Sequence, residues 1–424
     1  MVINLDRYKN FFIIFALGIS AGLPLSLILS TLKATLFEIG FDLATIGFLS
    51  LLSLPYSLKL IVAPLIDYYS VPILSKKIGH RKSWIMLNQL AMAGSCFLLA
   101  IAVAQQQLFL IIASALLIAI FSACQDIVID AYRIEIFTGK DQGFATMLYI
   151  YGYRLGMLFS GGLALFLASK ISWQAVYVVM VFAILFLAIF TVFATESKDK
   201  QFLHSKQNLA SAWLFICRAY RDFLQKNNWH FVLLFIIFFK LTDAFAGSMI
   251  MPFLLDIGYS KQELAVVLKT FGLFATLGGV FVGAILVKKI NLNKILYLAV
   301  ILQAVSNFAF FYLAKFQANY FTINFLNFGF DLHLLIAVLV ENISGGIGDV
   351  VFVAYLSSLC NKQFSATQYA LFSSLGSLAR SLLSSSSGLY ATHLGWSNFF
   401  IFSVFLVIPA LIFLAILNKK SFNR

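Results

Sequence analysis

Long apolar runs alternate with short polar connectors along the whole chain. Each run has about 20 residues or more, which is the length that a helix needs to cross a bilayer. The pattern predicts about twelve transmembrane helices, at residues 10–36, 43–66, 83–104, 108–134, 143–168, 174–194, 230–255, 263–287, 293–314, 332–358, 366–391 and 396–417. We therefore expect an all-α membrane protein. The first run shows no convincing signal cleavage site, and we expect it to be retained as a helix.

Composition supports a membrane protein and argues against metal or disulfide chemistry. Hydrophobic residues make up 61% of the chain and charged residues 11%, with a mean hydropathy of +0.94. A water-soluble fold cannot bury this much apolar surface. The four cysteines show no C-x-x-C spacing, and the five histidines lack metal-ligand spacing. We expect no disulfide framework, metal or cofactor.

The net charge of +13 would suggest nucleic-acid binding in a soluble protein. With the N-terminus inside, however, most Lys and Arg residues fall in cytoplasmic segments. Those predicted outside are Lys33, Lys170, Lys261, Lys269 and Lys315. This is the positive-inside asymmetry of a multi-pass inner-membrane or plasma-membrane protein. It predicts that both termini are cytoplasmic, and it makes a nucleic-acid partner unnecessary.

The longest polar connector divides the apolar runs six and six. We predict an N-terminal six-helix bundle at 1–194, a linker at 195–229 and a C-terminal six-helix bundle at 230–424. Apolar residues recur in the linker at helical spacing and predict a cytoplasmic amphipathic helix at the membrane interface. They are Leu209, Ala212, Trp213, Ile216, Tyr220 and Phe223.

Three local matches indicate that the halves are pseudo-symmetric repeats. "LFEIGF" at 36–41 matches "LLDIGY" at 254–259, an offset of 218 residues. "DIVIDAY" at 126–132 matches "DVVFVAY" at 349–355, an offset of 223, and Arg154 matches Arg380, an offset of 226. Similar offsets in chain order favour duplication, and many transporters are built from such repeats.

Nine ionisable residues lie well inside the predicted spans. They are Lys59, Asp126, Asp130, Arg154, Lys240, Asp243, Glu341, Asp349 and Arg380. Each would cost about 3 kcal/mol at a lipid-exposed helix centre, or about 25 kcal/mol together. Because an ordinary domain is stable by only about 5–15 kcal/mol, they must face a cavity or one another. Pro24, Pro55 and Pro64 should kink the first two helices near the same cavity.

The stretch "QDIVIDAYRIE" at 125–135 carries the densest charge. Asp126 and Asp130 share a helix face, and Arg133 continues nearly the same face. One of the carboxylates could exchange a proton during transport, or both could form permanent ion pairs with Lys59 or Arg154. Asp126 is matched by Asp349 in the repeat, whereas Asp130 is matched by Val353, so we favour Asp130 for the proton. Arg133 and Glu135 lie at the cytoplasmic end, where they need no special explanation.

The charges of the second half also leave alternatives open. Lys240 and Asp243 are three residues apart and could pair with each other or contact substrate. Glu341 and Asp349 are eight apart on one face. They could form a second proton site or pair with Arg380.

Two negative findings narrow the function class. The chain has no G-x-x-x-x-G-K-[ST] phosphate loop, so ATP-driven transport by this chain alone is not expected. A polytopic enzyme acting on lipid-linked sugars would also bury carboxylates among helices, but it usually needs a sizeable extramembrane loop. Only 195–230 offers such a loop, and we therefore favour a carrier over an enzyme.

Several motifs resemble one transporter family. "PYSLK" and "APLID" in the second run, then "GHRKSW", "SACQDIVIDAYRIE" and "YIYGYRLGMLFSGGLAL", resemble the AmpG-type muropeptide permeases of the major facilitator superfamily. The related acetyl-CoA transporters share a similar pattern. The resemblance implies proton-coupled import of anhydromuropeptides (GlcNAc-anhydroMurNAc peptides) across a Gram-negative inner membrane for peptidoglycan recycling. It also implies a link to β-lactamase induction and β-lactam resistance.

The resemblance also implies roles for individual residues and partners. The polar core would contain Lys59, Gln125, Asp126, Asp130, Tyr132, Tyr153 and Arg154, with Asp67, Arg81 and Arg133 at the cytoplasmic gate. The superfamily signature after the second helix is reduced here to Asp67, an insertion and "GHRK". The expected partners are an anionic small molecule, protons and the lipid bilayer, and the expected state is a monomer. The alternative substrate is another anionic solute, such as an acetyl-CoA-like molecule or a peptide or sugar conjugate.

Overall fold

The computed structural model describes residues 5–42, 45–46, 49–196, 209–315, 322–325 and 328–421. Within these residues, long helices follow one another along the first half of the chain. They are α1 (Leu5–Ser26, a π-helical turn Leu27–Thr31, and Leu32–Ile39), α2 (Leu51–Ser57 and Lys59–Tyr68), α3 (His80–Ala104), α4 (Leu108–Ile136), α5 (Asp141–Leu158, a π-helical turn Phe159–Leu163, and Ala164–Ala168) and α6 (Trp173–Val192). A short helix, Leu74–Ile78, lies between α2 and α3, and a separate linker helix covers Leu209–Leu224.

The second half repeats the series. Its helices are α7 (Trp229–Phe239 and Leu241–Asp256), α8 (Lys261–Leu264, a π-helical segment Ala265–Phe271, and Gly272–Lys289), α9 (Leu292–Lys315), α10 (Leu332–Leu359), α11 (Ser365–Ser384) and α12 (Ser387–Phe405 and Ile408–Ser421). A two-stranded antiparallel hairpin, Thr322–Phe325 with Phe328–Asp331, precedes α10. The predicted all-α architecture is confirmed, with this hairpin as a small addition.

Length and apolar character support most of the predicted spans. Ten of the described helices pass this test, and the bent pair that makes up α2 would be an eleventh. The remaining helix is α11, whose sequence "SATQYALFSSLGSLARSLLS" is rich in serine. The break predicted between 391 and 396 corresponds to Gly395, whose φ of 71° interrupts the segment Ser387–Phe405.

The predicted irregularities of α1 and α2 are present. Pro24 lies just before the π-helical turn of α1. The two pieces of α2 meet at Leu58 with a bend of 49°. Pro64 cannot donate to the Leu60 carbonyl one turn earlier, and the Tyr220 hydroxyl of the linker helix donates to that carbonyl instead, at 3.4 Å.

The chain forms two compact units. Each unit contains most of one half of the chain and one short segment from the other half. The first unit contains Met1–Thr138, Leu148–Arg221 and Cys360–Leu371. The second contains Gly139–Met147, Asp222–Leu359 and Phe372–Arg424. Apolar side chains of α1, α3, α4 and α6 form the main core of the first unit, and those of α7, α9, α10 and α12 form that of the second.

The ends of α1 and α7 are built alike. Gly40 and Gly258 follow these helices with φ of 97° and 100°, a left-handed conformation that glycine adopts without strain. The Trp173 indole of α6 donates to Glu38 at 2.7 Å, and the Trp396 indole of α12 donates to Asp256 at 2.6 Å. The matched motifs "LFEIGF" and "LLDIGY" therefore make the same contact, each inside its own unit.

A buried polar contact between matched helices is also repeated. In the first unit, Gln89 of α3 donates to Ser20 at 3.0 Å and accepts from Thr191 of α6 at 2.8 Å. In the second, Asn307 of α9 donates to Ser403 of α12 at 2.9 Å and to a carbonyl of α7 at 3.5 Å. The repeat inferred from short motifs thus extends to helices in which those motifs are absent.

Candidate functional site

Each unit contains a lysine–aspartate pair inside its helices. Lys59 of α2 donates to Asp126 of α4 at 2.7 Å, and Lys240 of α7 donates to Asp349 of α10 at 2.5 Å. The two aspartates are the repeat counterparts, but the lysines come from helices that are not equivalent in the repeat. Each pair satisfies two of the charges that could not face lipid.

One side of Asp126 remains open. Its Oδ2 binds Lys59, but its Oδ1 is buried and has no hydrogen-bond partner among the described residues. The neighbouring Gln125 is similar, because its amide nitrogen donates to Ser20 at 3.0 Å while its buried oxygen has no partner there. Two adjacent acceptors can therefore still receive a hydrogen bond from a water molecule or a ligand.

Asp130 lies one turn further along α4 and pairs with Arg133 at 3.1 Å. The Asp130 side chain is 17% exposed, whereas that of Asp126 is 6% exposed. The guanidinium of Arg133 is fully buried and lies over the rings of Tyr149 and Tyr369, at 5.9 and 5.4 Å from their centroids. These contacts hold Arg133 in place and leave the Asp130 carboxylate more accessible than that of Asp126.

Arg154 and Arg380, which are matched in the repeat, are the least engaged of the internal cations. Arg154 is partly exposed and makes no hydrogen bond or ion pair with a described residue. Arg380 donates to the Gly376 carbonyl of its own helix at 3.1 Å. Both guanidinium groups keep donors available for an anionic ligand.

The other predicted residues of the second unit have local partners. Asp243 lies 3.5 Å from Lys240, further than Asp349 does. Glu341 accepts a hydrogen bond from its neighbour Asn342 at 2.9 Å. Neither Glu341 nor Asp349 forms an ion pair with Arg380 among the described residues, so that predicted partnership is not formed here.

Of the two predicted tyrosines, Tyr153 lies near these charges and Tyr132 does not. The Tyr132 side chain is buried, 1% exposed, and the charge that acts on its hydroxyl is that of Glu196. The rings of Tyr149 and Tyr153 are 6.0 Å apart on α5. Tyr153 also lies close enough to Asp126 to interact with it electrostatically.

A buried cluster surrounds Arg81 at the start of α3, and we call it the Arg81 cluster. Its members are Asp67, Arg81, Glu135, Ser365 and Thr367, all in the first unit. Arg81 donates to Asp67 at 2.5 Å, to Glu135 at 2.8 Å and to Ser365 at 3.1 Å. Asp67 also accepts the backbone N–H and the hydroxyl of Thr367, each at 2.7 Å. A planar guanidinium can bind several acceptors in this way.

Glu135 corrects an expectation drawn from the sequence. At the cytoplasmic end of α4 it was expected to need no special explanation, but its side chain is 2% exposed and forms hydrogen bonds with both Arg81 and Ser365. Sequence spacing could not reveal this role, because its partners lie 54 and 230 residues away. The degraded superfamily signature nevertheless retains the Asp67–Arg81 ion pair.

Glu196, which follows α6, caps the N-terminus of α3. Its carboxylate accepts the backbone N–H groups of Arg81 and Lys82, at 2.8 and 3.3 Å. These N–H groups belong to the first turn of the helix, where backbone N–H groups have no acceptor within the helix. Burial raises the pKa of the Glu196 carboxyl above its usual value, although the two N–H donors oppose the shift.

Sequence reasoning overlooked Gln303, because α9 carries no ionisable residue well inside its apolar run and attention went to the charged helices. Its side chain is 1% exposed, and neither its amide oxygen nor its amide nitrogen has a partner among the described residues. It lies against Gly348, next to the stem of Lys240. A lone glutamine within "LAVILQAVSNF" was the available signal.

An apolar groove of about 820 Å³ lies between α2 and α4 in the first unit. Its lining runs from Thr45 and Leu49 to Lys59 and Cys124, and it contains no carboxylate among the described residues. The described residues also contain no group of three or more His, Cys, Asp or Glu that could bind a metal.

Comparison with known proteins identifies the family. Residues 11–333 match the family described as the Major Facilitator Superfamily. The chain is 38% identical over 427 residues to "Putative transporter AmpG 4" of Rickettsia felis, covering 99% of both chains. It is 36% identical over 409 residues to the "Anhydromuropeptide permease" of Escherichia coli K12, covering 96% of this chain and 79% of that protein.

Solved structures agree on the fold. The proton:xylose symporter XylE aligns with a TM-score of 0.67 at 11% identity, covering 96% of this chain and 94% of the other. FucP in its outward conformation aligns with a TM-score of 0.66 at 14% identity, covering 97% and 99%. These relatives are transporters and not enzymes. The chain therefore belongs to the major facilitator superfamily and, within it, to the AmpG-type permeases.

Proposed function

We propose that this protein imports anhydromuropeptides from the periplasm to the cytoplasm in symport with protons, for peptidoglycan recycling. The observation that carries the proposal is 36% identity to the anhydromuropeptide permease over 96% of the chain. Similarity over nearly the whole length includes the helices that bear the internal charges. The chain thereby has both the scaffold and the polar interior that such transport requires.

The internal cations support an anionic substrate. A muropeptide carries carboxylates, and Arg154 makes no ion pair or hydrogen bond with a described residue. Arg380 has only a carbonyl of its own helix as a described partner. In this proposal, Arg154 of the first unit and Arg380 of the second are each available to a carboxylate, and the unpaired, buried oxygens of Gln125 and Asp126 can accept hydrogen bonds from water or from substrate that enters the first unit.

We assign the transported proton to Asp130. Asp126 is held by Lys59 at 2.7 Å, a contact that favours a permanent charge. Asp130 is more exposed, and its partner Arg133 lies at 3.1 Å and also contacts two aromatic rings. A carboxylate with weaker pairing and better access to water is the better candidate for binding and releasing a proton.

The Arg81 cluster is proposed as the cytoplasmic gate. It binds the segment 365–367 at the start of α11 through two side chains and one backbone group. Breaking these hydrogen bonds would free that segment, and alternating access requires such reversible contacts.

Topology and assembly complete the proposal. We place the protein in the inner membrane with both termini cytoplasmic, in agreement with the positive-inside asymmetry. Six-helix bundles at 1–194 and 230–424 are joined by the linker 195–229, and the monomer carries the site. Asp243, Glu341 and Asp349 remain candidate contacts for substrate or ion pairing around Lys240.

The test is uptake of labelled anhydromuropeptide into proteoliposomes, with and without an imposed pH gradient. The wild type should accumulate substrate only with the gradient, and Asp130→Asn should abolish this dependence. The matched variant Asp126→Asn is expected to lower uptake but to keep the response to the gradient. Gradient-independent uptake by the wild type would disprove proton coupling, and absence of uptake would disprove the substrate.

A further inference from the structure

The linker helix presents two different faces. Phe215, Ala219 and Phe223 are buried, at 7%, 0% and 1% exposure. The sequence placed Trp213 on the apolar stripe, but its side chain is 67% exposed. The predicted stripe members Leu209 and Ala212 have side chains outside the described residues. The buried face is thus rotated toward Phe215 and Ala219.

The inner face contacts the surroundings of the Arg81 cluster within the first unit. The Phe215 ring lies 5.4 Å from Tyr68, the neighbour of Asp67, and 5.1 Å from Phe364, the neighbour of Ser365. The Gln368 amide donates to the Ala219 carbonyl at 3.1 Å. The inner face of the linker helix therefore packs against residues that neighbour the cluster in α2 and at the start of α11.

The outer face combines apolar and cationic side chains. Its exposed residues are Trp213, Leu214, Cys217, Arg218, Arg221 and Leu224. Leu214 and Leu224 are 57% and 48% exposed. Arg218 and Arg221 make no hydrogen bond or ion pair with a described residue, so within the described part of the chain this face carries two unpaired positive charges.

Connectivity brings this face to the membrane surface. The linker helix ends at Leu224, and the membrane helix α7 begins at Trp229. The five residue steps from Leu224 to Trp229 span at most about 18 Å, so the C-terminal turn cannot lie far from the bilayer. Exposed tryptophan and leucine beside arginines are typical of helices that lie in the headgroup region.

We propose that the outer face of the linker helix is a binding site for anionic phospholipids. Arg218 and Arg221 bind the headgroup phosphates, and Trp213 and Leu214 enter the boundary between headgroups and acyl chains. The charge of the face selects anionic over zwitterionic lipid.

The test uses the full chain in nanodiscs that hold one copy each. Cys217, exposed on the outer face, is labelled with a polarity-sensitive fluorophore, and Cys217→Ser gives the background from other cysteines. In discs containing phosphatidylglycerol the emission should shift to shorter wavelength relative to pure phosphatidylcholine discs. The double variant R218Q/R221Q should lose this shift, because two charges contribute about thirtyfold to the affinity for an anionic surface.

The control K76Q/K77Q removes two exposed charges from the short helix Leu74–Ile78 and should keep the shift. A shift that survives in R218Q/R221Q, or that is equal in both lipids, would overturn the proposal. A second preparation of discs with two copies each serves as a comparison. A shift that appears only in those discs would also overturn the proposal, since it would indicate a contact between copies. Uptake is not measured, so the result stands apart from the proposed substrate.

Discussion

At the residue scale, the internal charges are the feature that the sequence predicts best. Their cost in lipid required that they be satisfied, and Asp126 and Asp349 each lie against a lysine. The choice of partner could not be read from the sequence, because Lys59 and Lys240 come from non-equivalent helices. Spacing within one helix is visible in a sequence, but the distance between two helices is not.

Removing one member of the Lys59–Asp126 pair should destabilise the protein more than replacing both members with uncharged residues. Lys59→Met would leave the Asp126 charge buried without its partner and should lower the free energy of unfolding by about 3 kcal/mol. The double variant K59M/D126N should lose less than half as much, because no charge is left stranded. Denaturant unfolding in detergent would measure both. Equal losses in the single and the double variant would show that the pair itself, not the stranded charge, determines stability.

Arg81 should not be replaceable by lysine. Its guanidinium donates to Asp67, Glu135 and Ser365 at once, and an ammonium cannot reproduce that geometry. We expect Arg81→Lys to lower the unfolding free energy by about 2 kcal/mol. Thr367→Val should cost about 1 kcal/mol, because its backbone N–H still binds Asp67.

The matched control for this comparison is Lys77→Arg. Lys77 is exposed on the short helix Leu74–Ile78, and the substitution should leave stability unchanged. If Arg81→Lys unfolds at the same denaturant concentration as this control, the multiple hydrogen bonds of the guanidinium contribute nothing to stability.

At the element scale, helix existence was predictable and helix irregularity only partly so. Pro24, Pro55 and Pro64 marked α1 and α2 for distortion because proline removes a backbone donor. The π-helical segments Phe159–Leu163 and Ala265–Phe271 contain no proline; the first contains Ser160, Gly161 and Gly162, which favour irregular helix, and the second has no comparable signal. The serine-rich α11 shows that an apolar run can be recognised in weakly apolar sequence, since the pattern predicted a span at 366–391 and a helix forms at Ser365–Ser384.

Helix crossings provide a prediction with opposite signs at two glycines. A Cβ on Gly152 of α5 would come within 2.9 Å of the Ile19 backbone nitrogen and 3.1 Å of Gly18, both on α1. Gly152→Ala should therefore lower the unfolding free energy by about 2 kcal/mol. Gly94→Ala on α3 meets nothing within 4 Å and should raise it by about 0.5 kcal/mol. Thermal unfolding of both variants would measure these changes. If Gly152→Ala unfolds at the same temperature as the wild type, α1 and α5 can move apart at little cost in free energy.

At the scale of the whole molecule, the duplication was predictable from three short motifs. They located the ends of α1 and α7 and the polar stretches of α4 and α10. They could not show that Gln89 and Asn307 take matching positions in α3 and α9, because the two side chains differ and lie in unrelated apolar sequence. They also could not show which loop segments the two units exchange.

The repeated tryptophan contacts should contribute independently. Trp173→Phe and Trp396→Phe each remove one hydrogen bond to a carboxylate, in separate units, and each should cost about 1 kcal/mol. The double variant should show the sum to within about 0.5 kcal/mol, because the sites share no partner. A larger deviation in denaturant unfolding would reveal coupling between the units.

The exchange of segments between the units has a consequence for fragments of the chain. Residues 360–371 belong to the first unit and residues 139–147 to the second. A polypeptide cut in the linker would therefore leave its first fragment without the hydroxyl and N–H groups that bind Asp67 and Glu135. Arg81 would then be the remaining donor to Asp67 and Glu135 described here, and a buried carboxylate that loses hydrogen bonds is costly. We therefore expect either fragment to be degraded or to aggregate when it is made alone. When the two fragments are made together they should form a folded complex, because each then supplies the segment that belongs to the other's unit.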